Sequence, residues 1–451
     1  MIEIPISYLQ PGQINDQPYF SEDGKVIIPS RTVLTLKDLT ALKNSGLTHV
    51  YVQGSNEDED LIELLNVDFE STGPGSDLPH TDIPEIPFEI TSKPGKEGLI
   101  ELQKNPRCQQ LDSLIFEISN SNLPCGPAFK NNIIPIKKLH RSPDYKNTQL
   151  SDYDNALQET EDLLHSLASG KSVSVESVRS ISSHFARLFL KDPDFILNLS
   201  NLKPLEGEYL FHHSLNVCII AINIAAASGC SEPQVTEIGM GALLHDIGML
   251  LIPQEIRFKS SRASADEWYE IQKHPITGVL LLDKIKHLPD NIMFMVYQSH
   301  ERENGKGYPK QRSSRLIHTY AKILAVADTF EALSSPRSHR EAYLPYKAME
   351  TLIKMTRQGL LCGTFVKALL EFTSLFPVGS VVELNNKCIG RVIKPNGTSF
   401  AKPVVCILMD EKGNVLEEKE QYIEDLMVNT SLQIVKVHQN TMFNLNILLG
   451  F

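Results

Sequence analysis

Residues 208–250 read EYLFHHSLNVCIIAINIAAASGCSEPQVTEIGMGALLHDIGML. Residues 208–228 are apolar on nearly every face, the pattern of a helix buried on all sides. The most apolar part, residues 217–227, is far short of the roughly 20 residues that cross a bilayer, and Asn223 interrupts it, so a core helix is expected and no membrane span. A second helix is predicted over 233–250. Working outward, helical periodicity recurs at 156–168, 175–190, 265–285, 292–299, 317–333 and in two helices after Leu344. Residues 151–376 therefore read as one all-helical domain.

The flanks differ in kind. Residues 1–52 hold short β-rich runs at 2–6, 25–28 and 49–52, with Pro11-Gly12 and the hairpin-type pair Asp23-Gly24 between them. Leu36, Leu39 and Leu42 mark a helix over 35–45, giving a small N-terminal α/β module. Residues 53–98 are acidic and rich in Pro, Gly and Ser, can bury little apolar area, and read as a linker. Residues 99–150 stay unassigned, because LDSLIFEI at 111–118 suits a strand or a short helix and prolines keep breaking the period. After Pro377, VGSVVEL, CIGRVI, PVVCILM and LQIVKV read as strands of a small C-terminal β module over 377–451. The expected fold class is multidomain and mainly α.

Composition narrows the function. Among 451 residues, 43 are basic and 55 acidic, a formal charge of -12, which argues against a bulk nucleic-acid partner held by phosphate attraction. Seven dispersed cysteines without a C-x-x-C pair suggest neither a zinc knuckle nor a disulfide framework, and a reducing cytoplasm is expected. The opening MIEIPISYLQPGQ lacks the basic start and apolar run of a secretory signal.

The chemistry-bearing residues lie in the helical domain: His213, the adjacent His245-Asp246, His274, His300 and Asp328. Imidazole and carboxylate are ligands for iron, manganese, nickel or zinc, and an aspartate can bridge two ions. Neighbouring helical side chains are about 100° apart, so one turn can turn both His245 and Asp246 into one cleft. Any one such residue alone is more often structural or solvated. Order and context carry the signal.

The run from His213-Ser214-Leu215-Asn216-Val217 through Leu243-Leu244-His245-Asp246-Ile247-Gly248, His274-Pro275, His300-Glu301, Gly305-Lys306-Gly307-Tyr308-Pro309 and Ala327-Asp328-Thr329-Phe330-Glu331 resembles the HD-GYP family, a branch of the HD phosphohydrolases. The match covers roughly residues 205–376. Leu9-Gln10-Pro11-Gly12 and residues 46–52 also resemble the module that often precedes this domain. The resemblance implies an all-helical metal-dependent phosphodiesterase that hydrolyses cyclic di-GMP to pGpG or GMP by attack of a hydroxide held between metals, usually iron or manganese. Carried over by position, His213, His245, Asp246 and Asp328 would hold one ion, and Asp246 would bridge to a second held by His274 and His300. Arg337 and Arg340 match the family's phosphate-facing positions, where the other reading is a solvated helix end, and Tyr308 would stand at the cleft mouth. A diguanylate cyclase (GGDEF) partner at the GYP face and a homodimer are further implied partners.

Three departures bear on mechanism. Ser299 stands where the family has the first of two histidines, so the second ion loses a ligand unless a group such as His212 replaces it. Met249 stands where the family tends to have a lysine. Tyr209, with Glu208 beside it, stands where members with a third metal carry glutamate, so one or two ions per chain are expected. Ser299 and Met249 together raise an alternative: a chain that binds cyclic di-GMP or a signalling partner without turnover. The terminal modules carry no recognised catalytic motif and are expected to regulate or dock.

Overall fold

The computed structural model describes residues 2–5, 18–29, 36–52, 94–118, 127–132, 143–191, 209–335, 342–376 and 379–438, apart from positions 22, 46, 48, 260, 262, 344, 374, 397, 398 and 418. The chain divides into two compact units, Met1–Val67 and Asp68–Phe451.

In the first unit, strands β1 (Ile2–Pro5), β2 (Tyr19–Phe20), β3 (Val26–Ile28) and β4 (His49–Val52) form an antiparallel sheet in the order β1-β4-β2-β3, accompanied by helix α1 (Leu36–Asn44). The Asp23-Gly24 turn joins β2 to β3, and Gly24 takes the left-handed conformation (φ 79°) that glycine adopts without steric cost. Tyr19, Ile28, Leu42 and Val50 form its small core.

Among the described residues the second unit is helical up to its sheet. Helices α2 (Gly95–Leu102) and α3 (Pro106–Ile118) precede α4 (Pro143–Ala168), α5 (Val175–Lys191), α6 (Tyr209–Ala227) and α7 (Glu232–Leu244). There follow α8 (Gln254–Arg257), α9 (Ala265–Ile271), α10 (His274–Leu282), α11 (Asp290–Gln298), α12 (Thr319–Ser334), α13 (Pro345–Arg357) and α14 (Gly363–Thr373). Helix α6 is the axis: every residue from His213 to Ala227 is buried, and α4, α5, α7, α12 and α14 pack around it. At 19 residues it is long and apolar enough to cross a membrane, but 94% of its apolar window is buried inside the protein, which makes it a core helix. Each buried Leu, Ile, Val or Phe in such a core contributes about 1.5–3 kcal/mol relative to exposure.

The predicted helix over 233–250 breaks. Helix α7 ends at Leu244, His245 keeps helical angles, Asp246 moves to φ −103° and ψ 13°, and a 3-10 helix runs over Ile247–Leu251. The predicted helix over 265–285 also divides, into α9 and α10, because Pro275 in the first turn of α10 lacks the N–H that a continuous helix interior needs. The ambiguous LDSLIFEI belongs to α3 and is helical. At the end of the chain, β5 (Val381–Leu384), β6 (Ile389–Lys394), β7 (Val404–Met409), β8 (Tyr422–Asp425) and β9 (Ile434–His438) form an antiparallel sheet in the order β8-β7-β6-β5-β9. Four of these strands follow the apolar runs; β8 is an addition the sequence did not announce.

Candidate metal centre

The helix break is what aims the ligands. His245 caps α7, Asp246 occupies the turn after it, His274 opens α10, His300 follows α11 by two residues, His213 projects from the second turn of α6 and Asp328 from the middle of α12. Gly248 lets the 3-10 helix touch α10, since a Cβ there would lie 2.0 Å from the His274 carbonyl oxygen. All six side chains meet in one place.

Asp246 is at its centre. Its Oδ1 lies 3.3 Å from Nε2 of His245, 3.3 Å from Nε2 of His274 and 3.4 Å from Nε2 of His300, and its Oδ2 lies 3.6 Å from Nε2 of His213. Asp328 stands opposite, with Oδ1 3.4 Å from His213 Nε2 and 4.0 Å from His245 Nε2, and Oδ2 3.7 Å from His300 Nδ1. Two three-residue groups have donor atoms mutually close enough to share an ion: His213, His245 and Asp246, and Asp246, His274 and His300. Donors about 2.0–2.1 Å from one tetrahedral ion stand about 3.3–3.4 Å apart, close to the 3.3–3.6 Å between the Asp246 oxygens and the four Nε2 atoms.

The histidines are preset for coordination. Nδ1 of His245 donates to the Ala242 carbonyl (2.8 Å) and Nδ1 of His274 to the Ile271 carbonyl (2.7 Å). A carbonyl only accepts, so both Nδ1 atoms carry the proton and both Nε2 atoms present lone pairs. Those Nε2 atoms are buried without a hydrogen-bond partner. Orphaned lone pairs on buried imidazoles, facing a carboxylate, fit a divalent ion.

Electrostatics agree. Burial pushes Asp246 toward neutrality, but the surrounding imidazoles, His245 foremost and then His274 and His300, outweigh it and hold the carboxyl well below its usual range. Asp328 is lowered too: burial opposes ionisation, and His213 and His300 overcome it. Burial lowers His300 to about 4, against the pull of Asp246, so its ring is neutral at pH 7. His245 is raised, because Asp246 outweighs its burial.

Tyr308 lies against two of the histidines. Its ring stacks on His300 (centroids 4.9 Å apart, 17° between planes) and meets His274 edge-on at 6.0 Å. Burial raises its hydroxyl well above the ordinary tyrosine value, so the group keeps its proton as a donor. Arg337 and Arg340 lie outside the described residues.

The departures fall in different places. Ser299 is fully buried and its hydroxyl donates to the Val296 carbonyl (3.1 Å), away from both donor groups. His212 is in neither group; its ring faces Tyr153 at 6.4 Å. Met249 is half-buried in the 3-10 helix, its N–H donating to the Asp246 carbonyl (2.8 Å). Tyr209 stacks on His213 (5.3 Å), and its hydroxyl lies 3.1 Å from His213 Nδ1 and donates to Glu331.

Two carboxylates escaped the sequence reading. Glu331 is buried and accepts from Nδ1 of His213; the signal was its position three residues after Asp328, on the same helix face. Glu301 is buried and accepts the backbone N–H groups of Lys310 (2.7 Å) and Arg312 (2.8 Å), bracing the loop that bears Tyr308.

A helical bundle whose HD pair closes a cage of histidines and aspartates defines an HD-type domain with side chains that could hold metal. Residues 199–361 match the family model for the HD domain, and residues 381–445 match the KOW domain associated with the HD domain. Residues 199–361, just over a third of the chain, are thus an HD domain. The chain is similar to a cyclic di-GMP phosphodiesterase of Pseudomonas aeruginosa, with 26% identity over 54% of this chain and 59% of that protein. It is similar to a 3'3'-cGAMP-specific phosphodiesterase of Vibrio cholerae, with 29% identity over 36% of this chain and 31% of that protein. The match thus spans under two thirds of these relatives' own lengths. Among solved structures, an HDG"Y"P protein from Bdellovibrio bacteriovorus aligns with a TM-score of 0.38 and 16% identity, over 82% of this chain and 97% of that one.

Proposed function

We propose that the chain is a metal-dependent phosphodiesterase of cyclic dinucleotides, with cyclic di-GMP as substrate and pGpG or GMP as product. One observation supports the reading above the others: the two oxygens of Asp246 lie within 3.3–3.6 Å of four imidazole Nε2 atoms. His213, His245, Asp246 and Asp328 would hold one divalent ion, and Asp246, His274 and His300 a second. Iron or manganese is the first expectation, with nickel and zinc open to the same ligands. Bound there, the ions supply Lewis acidity toward a phosphate oxygen and a nucleophile at neutral pH.

The protein's own part is binding and orientation. Asp246, as the common ligand, fixes the spacing of the two donor groups. Glu331 aims His213, and main-chain carbonyls aim His245 and His274. Tyr308 keeps its proton and donates to an incoming phosphate or base at the mouth, and Arg337 and Arg340 neutralise phosphate charge. This activity goes with a cytoplasmic location.

A second reading is a receptor that binds the dinucleotide, or a diguanylate cyclase partner at the loop face, without turnover. It is favoured by Ser299, whose hydroxyl is spent on the Val296 carbonyl and leaves the second donor group at three residues. One experiment separates them. Protein loaded anaerobically with iron or manganese is incubated with cyclic di-GMP and, in parallel, 3'3'-cGAMP, and products are followed by chromatography against Asp246→Ala. Linear product above that control is expected. No product from either dinucleotide, with calorimetric binding retained, would establish the receptor; neither product nor binding would remove both readings.

A further inference from the structure

We infer that the α2–α3 hairpin is a brace for the loop carrying Tyr308, with Asp112 and Gln103 as its positioning residues. The hairpin lies outside residues 199–361, which match the HD domain. From within that domain the loop is held by Glu301 and by the Tyr308 N–H, which donates to the His300 carbonyl (3.0 Å). Gly307 makes that approach feasible, since a Cβ there would meet the His300 carbonyl oxygen at 2.4 Å.

Four further links come from the hairpin. Gln103 Nε2 donates to the Pro309 carbonyl (2.6 Å), and Lys310 Nζ donates back to the Gln103 carbonyl (3.2 Å). Asp112 pairs with Lys310 Nζ (3.3 Å) and with the Arg312 guanidinium, which is 9% exposed and lies over the Tyr297 ring at 5.1 Å. The hairpin is itself anchored. Arg107 pairs with Asp283 (3.0 Å) beyond α10 and with Asp290 (2.8 Å) in α11, and the Gly95 N–H donates to Glu270 (2.6 Å) in α9. One carboxylate therefore serves two loop cations, one of them buried. Removing a single partner from such a cluster leaves an uncompensated charge, which is the destabilising case.

The consequence reaches the candidate ligands through Tyr308. His245 and His274 are oriented by main-chain carbonyls, whereas Nδ1 of His300 faces Asp328 at 3.7 Å and its ring is held by the Tyr308 stack. Loosening the brace frees Tyr308 and, with it, His300. This consequence for substrate rests on the proposed function; the brace itself does not.

The chain carries its own probe. Its single tryptophan, Trp268, is 45% exposed and stands edge-on to Tyr308 with centroids 5.7 Å apart. In the full chain, Asp112→Asn and Gln103→Ala are each expected to raise acrylamide quenching of Trp268 about twofold, as local opening of the loop, with unchanged far-UV circular dichroism. Both are expected to weaken cyclic di-GMP binding about tenfold, or 1.4 kcal/mol. Asp112→Glu, which keeps the charge, restores both readings. Quenching equal to that of the unaltered chain in both variants would overturn the brace. If quenching rises in the variants but the unaltered chain neither binds nor cleaves the dinucleotide, the brace stands and the proposed substrate falls.

Discussion

Glu331 accepts a hydrogen bond from Nδ1 of His213, joining α12 to α6 behind the candidate metal centre. It lies three residues after Asp328, so a single face of α12 supplies one candidate ligand and the carboxylate that aims another. Tyr209 donates to the same carboxylate and Ser335 to its other oxygen (2.6 Å), so Glu331 is itself fixed. A carboxylate on the outer nitrogen sets the tautomer and makes the inner nitrogen a better donor.

Glu331→Gln keeps an accepting oxygen near His213 but loses the charge. Metal affinity is expected to fall about 10- to 100-fold with the fold intact. Titration against a competing chelator measures it, and an unchanged affinity would remove Glu331 from the centre.

The two donor groups share Asp246 and nothing else, which gives an asymmetric expectation for ligand removal. His274→Ala should lower the stoichiometry by one ion and leave the other, whereas Asp246→Ala should abolish binding at both. Metal at 100 times its dissociation constant stabilises the native state by about 2.7 kcal/mol. The unaltered protein should therefore melt higher with metal than after chelation, and Asp246→Ala should melt at one temperature in both conditions. Equal losses of metal in the two variants would contradict two separable sites.

His318, which is not one of the candidate ligands, governs an acid response of its own. It caps α12 by accepting the Tyr320 N–H on Nδ1 (3.2 Å), and its ring stacks on Phe294 at 5.4 Å. Burial lowers its pKa from 6.5 to about 4, so the unfolded chain takes up a proton that the native ring refuses. Stability from this residue is present above about pH 6.5 and is lost as pH falls toward 4. The loss between pH 7 and 5 is about 2 kcal/mol. His318→Asn, which retains an accepting cap, should flatten the pH dependence of urea unfolding by that amount; parallel curves for the two proteins would refute the assignment.

The helical domain was readable because its helices are long, apolar and periodic, and α6 is apolar on nearly all faces. His213, His245, Asp246, His274, His300 and Asp328 were readable as polar residues that helix packing does not require. The break at His245-Asp246 was not, because it is made by a tertiary contact, the approach of Gly248 to the His274 carbonyl. Glu331 and Glu301 were missed because a carboxylate that acts on another side chain or on loop amides leaves no period of its own. The α2–α3 hairpin stayed unassigned because its partners, Lys310 and Arg312, lie some two hundred residues away. Strand β8 reads YIED, too short and too polar to alternate visibly.

Gly248→Ala tests whether that contact sets the second donor group. The added Cβ would stand 2.0 Å from the His274 carbonyl oxygen, 2.6 Å from Thr277 Oγ1 and 2.8 Å from the Gly278 nitrogen. Two of these three atoms are backbone of α10 and cannot rotate aside, so the 3-10 helix and α10 must separate. Overpacking of this kind costs about 1–3 kcal/mol, to be read as a lower urea midpoint. The separation carries His274 away from Asp246, now 3.3 Å apart, while His213 and His245 lie on α6 and at the end of α7 and keep their places. The variant should therefore lose the ion of the Asp246, His274 and His300 group and keep the other. An unchanged midpoint with full metal content would mean that α10 is free to move and that the Gly248 contact does not fix the centre.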